Sequence, residues 1–171
     1  MTELWNRRGA TFFGPSREER AAPENSKAGS SPRTPKVANS AARRDISSVT
    51  CQVEDLIAAG VPPTDVPVIT PYAAQARLLR DRIDSPGVEV DSVDGFLGCE
   101  KEAVVISLVR SNTKGELAIL TDTRRMNVAL TRARRKLIVF GDSSTLANHE
   151  FYLRLLEFFK REDVYGTVWE I

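Results

Sequence analysis

Six Lys or Arg residues and no acid occupy the thirteen positions 124–136, RRMNVALTRARRK. Guanidinium groups in such number point to anions. Their planar donors match phosphate oxygens in pairs, and their charge is not lost to titration. Within the same stretch, Met126, Ala129, Leu130, Ala133 and then Leu137 recur on one helical face, which predicts a helix over 123–135. Arg124, Thr131 and Arg135 point away from that stripe, whereas Arg125 and Arg132, seven residues apart, share its border. A border position lets packing hold the stem of a side chain while its charged end reaches a cleft. The plainer reading of an Arg-rich helix is a solvated cationic face.

The elements around this helix come from hydrophobic spacing. Val49, Val53, Leu56 and Ile57 mark an earlier helix, which Gly60, Pro62 and Pro63 stop. Residues 66–70, VPVIT, form a short apolar run bounded by breakers and read as a buried strand. Pro71 sits where a helix can begin, and Tyr72, Ala76, Leu79 and Ile83 fall on one face of it. Residues 88–90 are a short second strand. Residues 103–109, AVVISLV, are the most apolar run of the chain and predict a central strand covered on both faces. Residues 136–140 follow as another strand and 149–161 as a final amphipathic helix. Strands alternating with helices imply an α/β fold, a parallel sheet with helices on both faces. In such sheets ligands gather at the carboxyl ends of the strands. Polar residues fall there three times: Thr70-Pro71-Tyr72, then Asp91 to Asp94, then Arg110-Ser111-Asn112. That distribution is site-like and names no ligand.

Composition sets the outer limits. The 171 residues are 42% apolar and 27% charged, a globular balance. No run approaches the apolar length needed to span a bilayer, so no membrane role is expected. The first residues lack a signal-peptide core, and Glu3, Glu18, Glu19 and Glu24 argue against a mitochondrial presequence. An intracellular setting, nucleus or cytoplasm, is expected. Two cysteines and one histidine, His149, leave no parts for a disulfide scaffold, a cysteine zinc site or a Ser-His-Asp triad. No metal-ligand set is read, and His149 reads as a solvated or capping residue. The overall charge of +1 hides an uneven division, since residues 1–44 carry a net +5 and residues 45–171 a net −4. Residues 14–44 hold four prolines and one large aliphatic, Val37, too little to offset chain entropy. The expected division is therefore a disordered basic arm over 1–44 and a globular domain over 45–171, with Trp5, Phe12 and Phe13 read as a loose tail in preference to a docked segment.

Four blocks occur in order: ITPYAAQ at 69–75, SVDGFLGCEKEAVVIS at 92–107, VRSN at 109–112 and RRMNVALTRARRK at 124–136. Together they resemble the second RecA-like domain of superfamily 1 helicases. The likeness is strongest to the up-frameshift/immunoglobulin-mu-binding group, which moves 5′ to 3′ on DNA or RNA. The resemblance implies ATP with Mg²⁺ as cofactor, single-stranded DNA or RNA as partner, and a first RecA-like domain as second partner. It implies that Arg132 is the arginine finger on the γ-phosphate, the catalytic residue of this half, and that Glu100 contacts the ribose hydroxyls. Arg125 and Asn127 would order the motif and bridge to the ATP side. Thr70, Pro71 and Tyr72 match the segment that touches the strand, with Gln75 and Arg110 as further candidates. Ser92, Val93, Asp94 and Gly95 match the loop that couples strand to nucleotide. Other readings stand beside these: a surface ion pair for Glu100 with Lys101 or Arg110, and core packing for Tyr72 in place of base stacking. Phe96 reads as a core anchor.

Two positions depart from the family pattern, Leu97 where Gln is usual and Cys99 where Arg is usual. The first removes a polar relay and the second a cation, which puts coupling in question. The phosphate loop G-x-x-x-x-G-K-[ST] does not occur in the 171 residues, nor does an Asp-Glu pair after an apolar strand. Alone, the chain is expected not to hydrolyse ATP. Two functions remain, the second motor half of an ATP-dependent helicase and a non-catalytic nucleic-acid-binding or regulatory module that keeps the fold.

Overall fold

The computed structural model describes residues 9–14, 36–96, 100–108 and 118–166. Six strands, β1 (Ala10–Phe13), β2 (Val68–Ile69), β3 (Val90–Asp91), β4 (Lys101–Ser107), β5 (Ala133–Phe140) and β6 (Tyr165–Gly166), form one sheet in the order β3-β2-β4-β5-β1-β6. Every pairing is parallel. The helices are α1 (Lys36–Ala58), α2 (Ala73–Arg82), α3 (Thr123–Thr131), α4 (Ser143–Leu146) and α5 (Glu150–Arg161).

Side-chain alternation along the central strands builds the layers. On β4, Val104 and Ile106 join a cluster with Met126, Leu130, Leu156 and Phe159 from α3 and α5, whereas Ala103 and Val105 join Val49, Val53, Ala76 and Leu79 from α1 and α2. On β5, Leu137 and Val139 face the first cluster, and Ile138 and Phe140 the second. A strand apolar at successive positions is buried on both faces, and this sheet is the expected α/β sandwich of helices about parallel strands.

The expected domain boundary at residue 45 is corrected at two places. Ala10–Phe13, taken as tail, is a strand lying between β5 and β6, with Phe12 fully buried. Helix α1 begins at Lys36 rather than near Val49. The framework thus draws on both sides of residues 15–35, which lie outside the described residues. At the ends of β1 and β5 the chains approach closely. A Cβ on Gly14 would collide with the carbonyl oxygen of Gly141 and sit 2.7 Å from the Phe12 ring.

The cationic stretch is also corrected. Helix α3 stops at Thr131, and Ala133 already pairs with Lys101 in the sheet. Ala133 and Leu137 are buried as expected, but from a strand. The ladder to β4 offers residues 133–140 both hydrogen bonds and burial, which outweighs their helical spacing.

Candidate functional site

At the carboxyl end of the sheet a polar relay joins three elements. The hydroxyl of Thr70 donates to Gln75 Oε1 at 2.6 Å, and Gln75 Nε2 donates to Ser107 Oγ at 2.6 Å. Thr70 and Ser107 are wholly buried. The relay therefore ties the ends of β2 and β4 to the first turn of α2, and its side chains are spent inward. Thr70 Oγ1 also accepts from the Tyr72 N–H at 3.4 Å. Pro71 and Tyr72 are half-buried, the Tyr72 ring packs on the main core, and its phenolic oxygen is buried. Tyr72 has the packing expected of a core residue. Phe96 is a core anchor as well.

Beyond β3 the chain makes a 3₁₀ turn over Val93–Phe96. The carboxylate of Asp91 accepts from the Ser92 N–H at 2.7 Å and pairs with Arg80 at 3.5 Å. Gly95 lies against this carboxylate, and a Cβ there would sit 2.7 Å from Asp91 Oδ2. Asp94 pairs with Arg125 at 3.4 Å, and Arg125 pairs with Asp122 at 3.4 Å. Asp122 also caps α3, accepting from the N–H groups of Arg124 and Arg125. Pro71, Ser92, Asp94, Asp122, Arg125 and Tyr152 line the shallow cleft between these loops.

The floor of the cleft is set by Tyr152, whose hydroxyl donates to the Leu120 carbonyl at 2.7 Å. Burial, then Tyr72 and Asp122 nearby, push its phenol above the usual 10.0. The folded state thus favours the neutral phenol. Its contribution to stability is present below pH 10 and falls as pH rises beyond it. Tyr152→Phe should flatten that alkaline slope in urea melts and cost about 1–3 kcal/mol at neutral pH, since it leaves a buried carbonyl unpaired. A variant with the wild-type slope would contradict this account.

At the opposite, amino end of the sheet lie Glu100 and Arg132. The Lys101 N–H donates to the Arg132 carbonyl at 2.9 Å, which sets the two motifs side by side. Arg132 ends α3; it is half-buried, and its Nε donates to the Val128 carbonyl at 3.1 Å. Among the described residues no carboxylate pairs with it. Glu100 is exposed and accepts from Arg134 Nε at 3.4 Å, so its ion pair is with Arg134 and not with Lys101. Lys101 instead pairs with Glu89 and donates to the Thr64 carbonyl.

The structure therefore divides the sequence-predicted residues. Thr70, Pro71, Tyr72, Gln75, Ser92, Asp94, Gly95 and Arg125 gather at the carboxyl end, and Glu100 and Arg132 at the amino end. Arg125 and Arg132 therefore stand at opposite ends of α3. Helix α3 runs against the strands, and seven residues of helix separate them by about 10 Å along its axis. Arg110, Leu97 and Cys99 lie outside the described residues. His149 caps α5, its Nδ1 accepting from the Phe151 N–H at 3.2 Å. Ser107, Asp122 and Arg134 are structural partners that the sequence reading passed over. Asp122 had a signal, an N-cap residue just before an apolar helical stripe.

The family described as "AAA domain" matches residues 11–144, from within β1 to α4. The chain belongs to that family. Its motif order is that of the second RecA-like domain of superfamily 1 helicases of the up-frameshift/immunoglobulin-mu-binding type. It is 44% identical over 128 residues to DNA-binding protein SMUBP-2 of Rattus norvegicus, covering 74% of this chain and 13% of that protein. It is 40% identical over 129 residues to DNA polymerase alpha-associated DNA helicase A of Schizosaccharomyces pombe, covering 71% of this chain and 20% of the relative. It is 40% identical over 127 residues to the regulator of nonsense transcripts 1 homolog of Neurospora crassa, covering 69% of this chain and 12% of the relative. The chain spans a fifth or less of each of these proteins. The AAA match begins within β1, in keeping with the place of that strand inside the sheet. No helix among the described residues is long and apolar enough to cross a membrane.

Proposed function

We propose that this AAA domain is the second motor half of an ATP-driven 5′ to 3′ helicase, completed by a first RecA-like domain that supplies the phosphate loop. The observation that carries the reading is the adjacency of Glu100 and Arg132 at the amino end, with the Arg132 guanidinium paired to no carboxylate among the described residues. A guanidinium free of acids is available to an anion. Presented to a γ-phosphate, it stabilises the charge that develops during phosphoryl transfer. An exposed carboxylate beside it is an acceptor for the two hydroxyls of a ribose. The residues present thus fit the sugar and the terminal phosphate of ATP. Among the described residues no group of three or more His, Cys, Asp or Glu is placed to hold a metal ion, so Mg²⁺ would come with the phosphates and the first domain.

At the carboxyl end, Pro71, Ser92, Asp94 and Gly95 would face single-stranded DNA or RNA through backbone groups and short side chains, which hold phosphates without reading sequence. Thr70 and Gln75 support that surface from behind, because the Thr70 hydroxyl is engaged with Gln75 and the Gln75 amide with Ser107. Arg125 links the β3 loop to α3 through Asp94 and Asp122. Helix α3 would then connect the strand-facing end of the domain to its nucleotide-facing end, with Arg125 in its first turn and Arg132 at its last. The likeness to proteins named as helicases supports this reading.

The test replaces the matching segment of the S. pombe DNA helicase A by this chain and measures ATP turnover with and without single-stranded DNA and RNA. Stimulated turnover is expected from the hybrid and none from the chain alone. A folded hybrid that binds nucleic acid without turnover would overturn the motor reading and leave the non-catalytic module. In that case the chain alone should bind single strands with an affinity that falls steeply with salt.

A further inference from the structure

Strand β5 contains an irregularity next to Arg132. Lys101 pairs with Ala133 and Ala103 with Lys136, so two steps along β4 oppose three along β5. The extra residue sets both Arg134 and Arg135 opposite Glu102, and both are exposed, which breaks the usual in-and-out alternation. A bulge of this kind re-aims side chains, and bulges recur beside active sites. Here it aims two guanidiniums at two carboxylates. Arg135 Nε lies 2.9 Å from Glu102, and Arg134 reaches both Glu102 at 3.9 Å and Glu100 at 3.4 Å.

We infer that Arg134 is a positioning residue for Glu100, held by the β5 bulge so that one oxygen of the Glu100 carboxylate is fixed and the other is left for the ribose of the nucleotide. The inference rests on the motor reading and adds a residue to it. Arg134 takes the Oε2 oxygen, and no other hydrogen bond or ion pair among the described residues occupies Oε1. A carboxylate on an exposed stem samples several rotamers, and each is lost when it binds a diol. Arg134, steadied by Glu102 behind it, removes part of that cost beforehand. An isolated exposed ion pair contributes little to folding, and in this chain of four charges built on a bulge the Arg134–Glu100 link is the one beside Arg132. The geometry assigns Arg134 a role in nucleotide choice, for ribose over deoxyribose.

The test uses the hybrid helicase and compares ATP with 2′-deoxy-ATP. Arg134→Ala should raise KM for ATP about five- to tenfold, raise KM for 2′-deoxy-ATP, which keeps only the 3′-hydroxyl, by clearly less, and leave kcat within twofold for both. Arg134→Lys, which keeps the charge but not the fork, should fall between. Equal changes for both nucleotides, or no change in either, would overturn the inference. Stimulated turnover of the unaltered hybrid tests the motor reading by itself, and Glu100→Ala tests the carboxylate. If Glu100→Ala abolishes the preference and Arg134→Ala does not, Glu100 keeps its role and Arg134 loses its own. If Glu100→Ala also leaves the preference intact, both assignments fall.

Discussion

Arg132→Ala should lower nucleic-acid-stimulated ATP turnover of the hybrid helicase by about 10³–10⁵-fold, the range over which arginine fingers act. The expectation comes from how little else the side chain does. Its guanidinium makes one described hydrogen bond, from Nε to the Val128 carbonyl at 3.1 Å, at the solvated end of α3. Losing it costs about 1 kcal/mol of stability, too little to unfold the domain. The backbone of residue 132, which accepts from the Lys101 N–H, is untouched by the substitution. A large fall in kcat with an unchanged melting curve would thus report on chemistry. Arg132→Lys should recover only a small part of the rate, because a lysine supplies charge without the planar pair of donors. Turnover within tenfold of wild type in Arg132→Ala would end the finger assignment.

The sequence reading located this residue and misjudged its surroundings. Spacing puts Arg125 and Arg132 on one helix border, and Arg132 is expected to face the rim where the polar loops converge. The rim exists, at the carboxyl ends of β2 and β3, but Arg132 sits at the other end of the sheet beside Glu100. Periodicity along 124–137 could not reveal this, because Ala133 and Leu137 are buried whether the chain continues as helix or turns into strand. Only the partner strand decides, and a parallel partner is remote in sequence. The same remoteness hid the relay from Thr70 through Gln75 to Ser107, in which a pair 32 positions apart is joined at 2.6 Å. What was legible was local. Residues 103–109 are apolar at nearly every position and form a strand buried on both faces over the part that is described. His149 precedes an amphipathic helix and caps it.

Strand β1 was not legible, and it carries the largest stability prediction. Four residues followed by a glycine and a proline-rich stretch offer too short a pattern to distinguish a strand from a tail. In the fold, however, Phe12 has no exposed surface, stacks on Tyr165 at 5.2 Å and lies against Phe159 at 5.6 Å. Its N–H donates to the Val164 carbonyl at 2.9 Å. Phe12→Ala should therefore cost about 3–5 kcal/mol, a large part of the roughly 5–15 kcal/mol that holds a domain together. Phe12→Leu, which keeps most of the volume, should cost less than half as much. Phe13 gives the internal comparison, since it is half-buried and stacks on Phe140 on the other face at 5.4 Å, so Phe13→Ala should cost less than Phe12→Ala. The check is the urea midpoint of each variant at unchanged slope. A loss below about 1 kcal/mol for Phe12→Ala would mean that β1 is not part of the sheet in solution. The consequence would reach the site, because β1 is the partner that keeps β5 from being an edge strand, and β5 begins one residue after Arg132. A domain that lost β1 would present the same guanidinium from a strand paired on one side only.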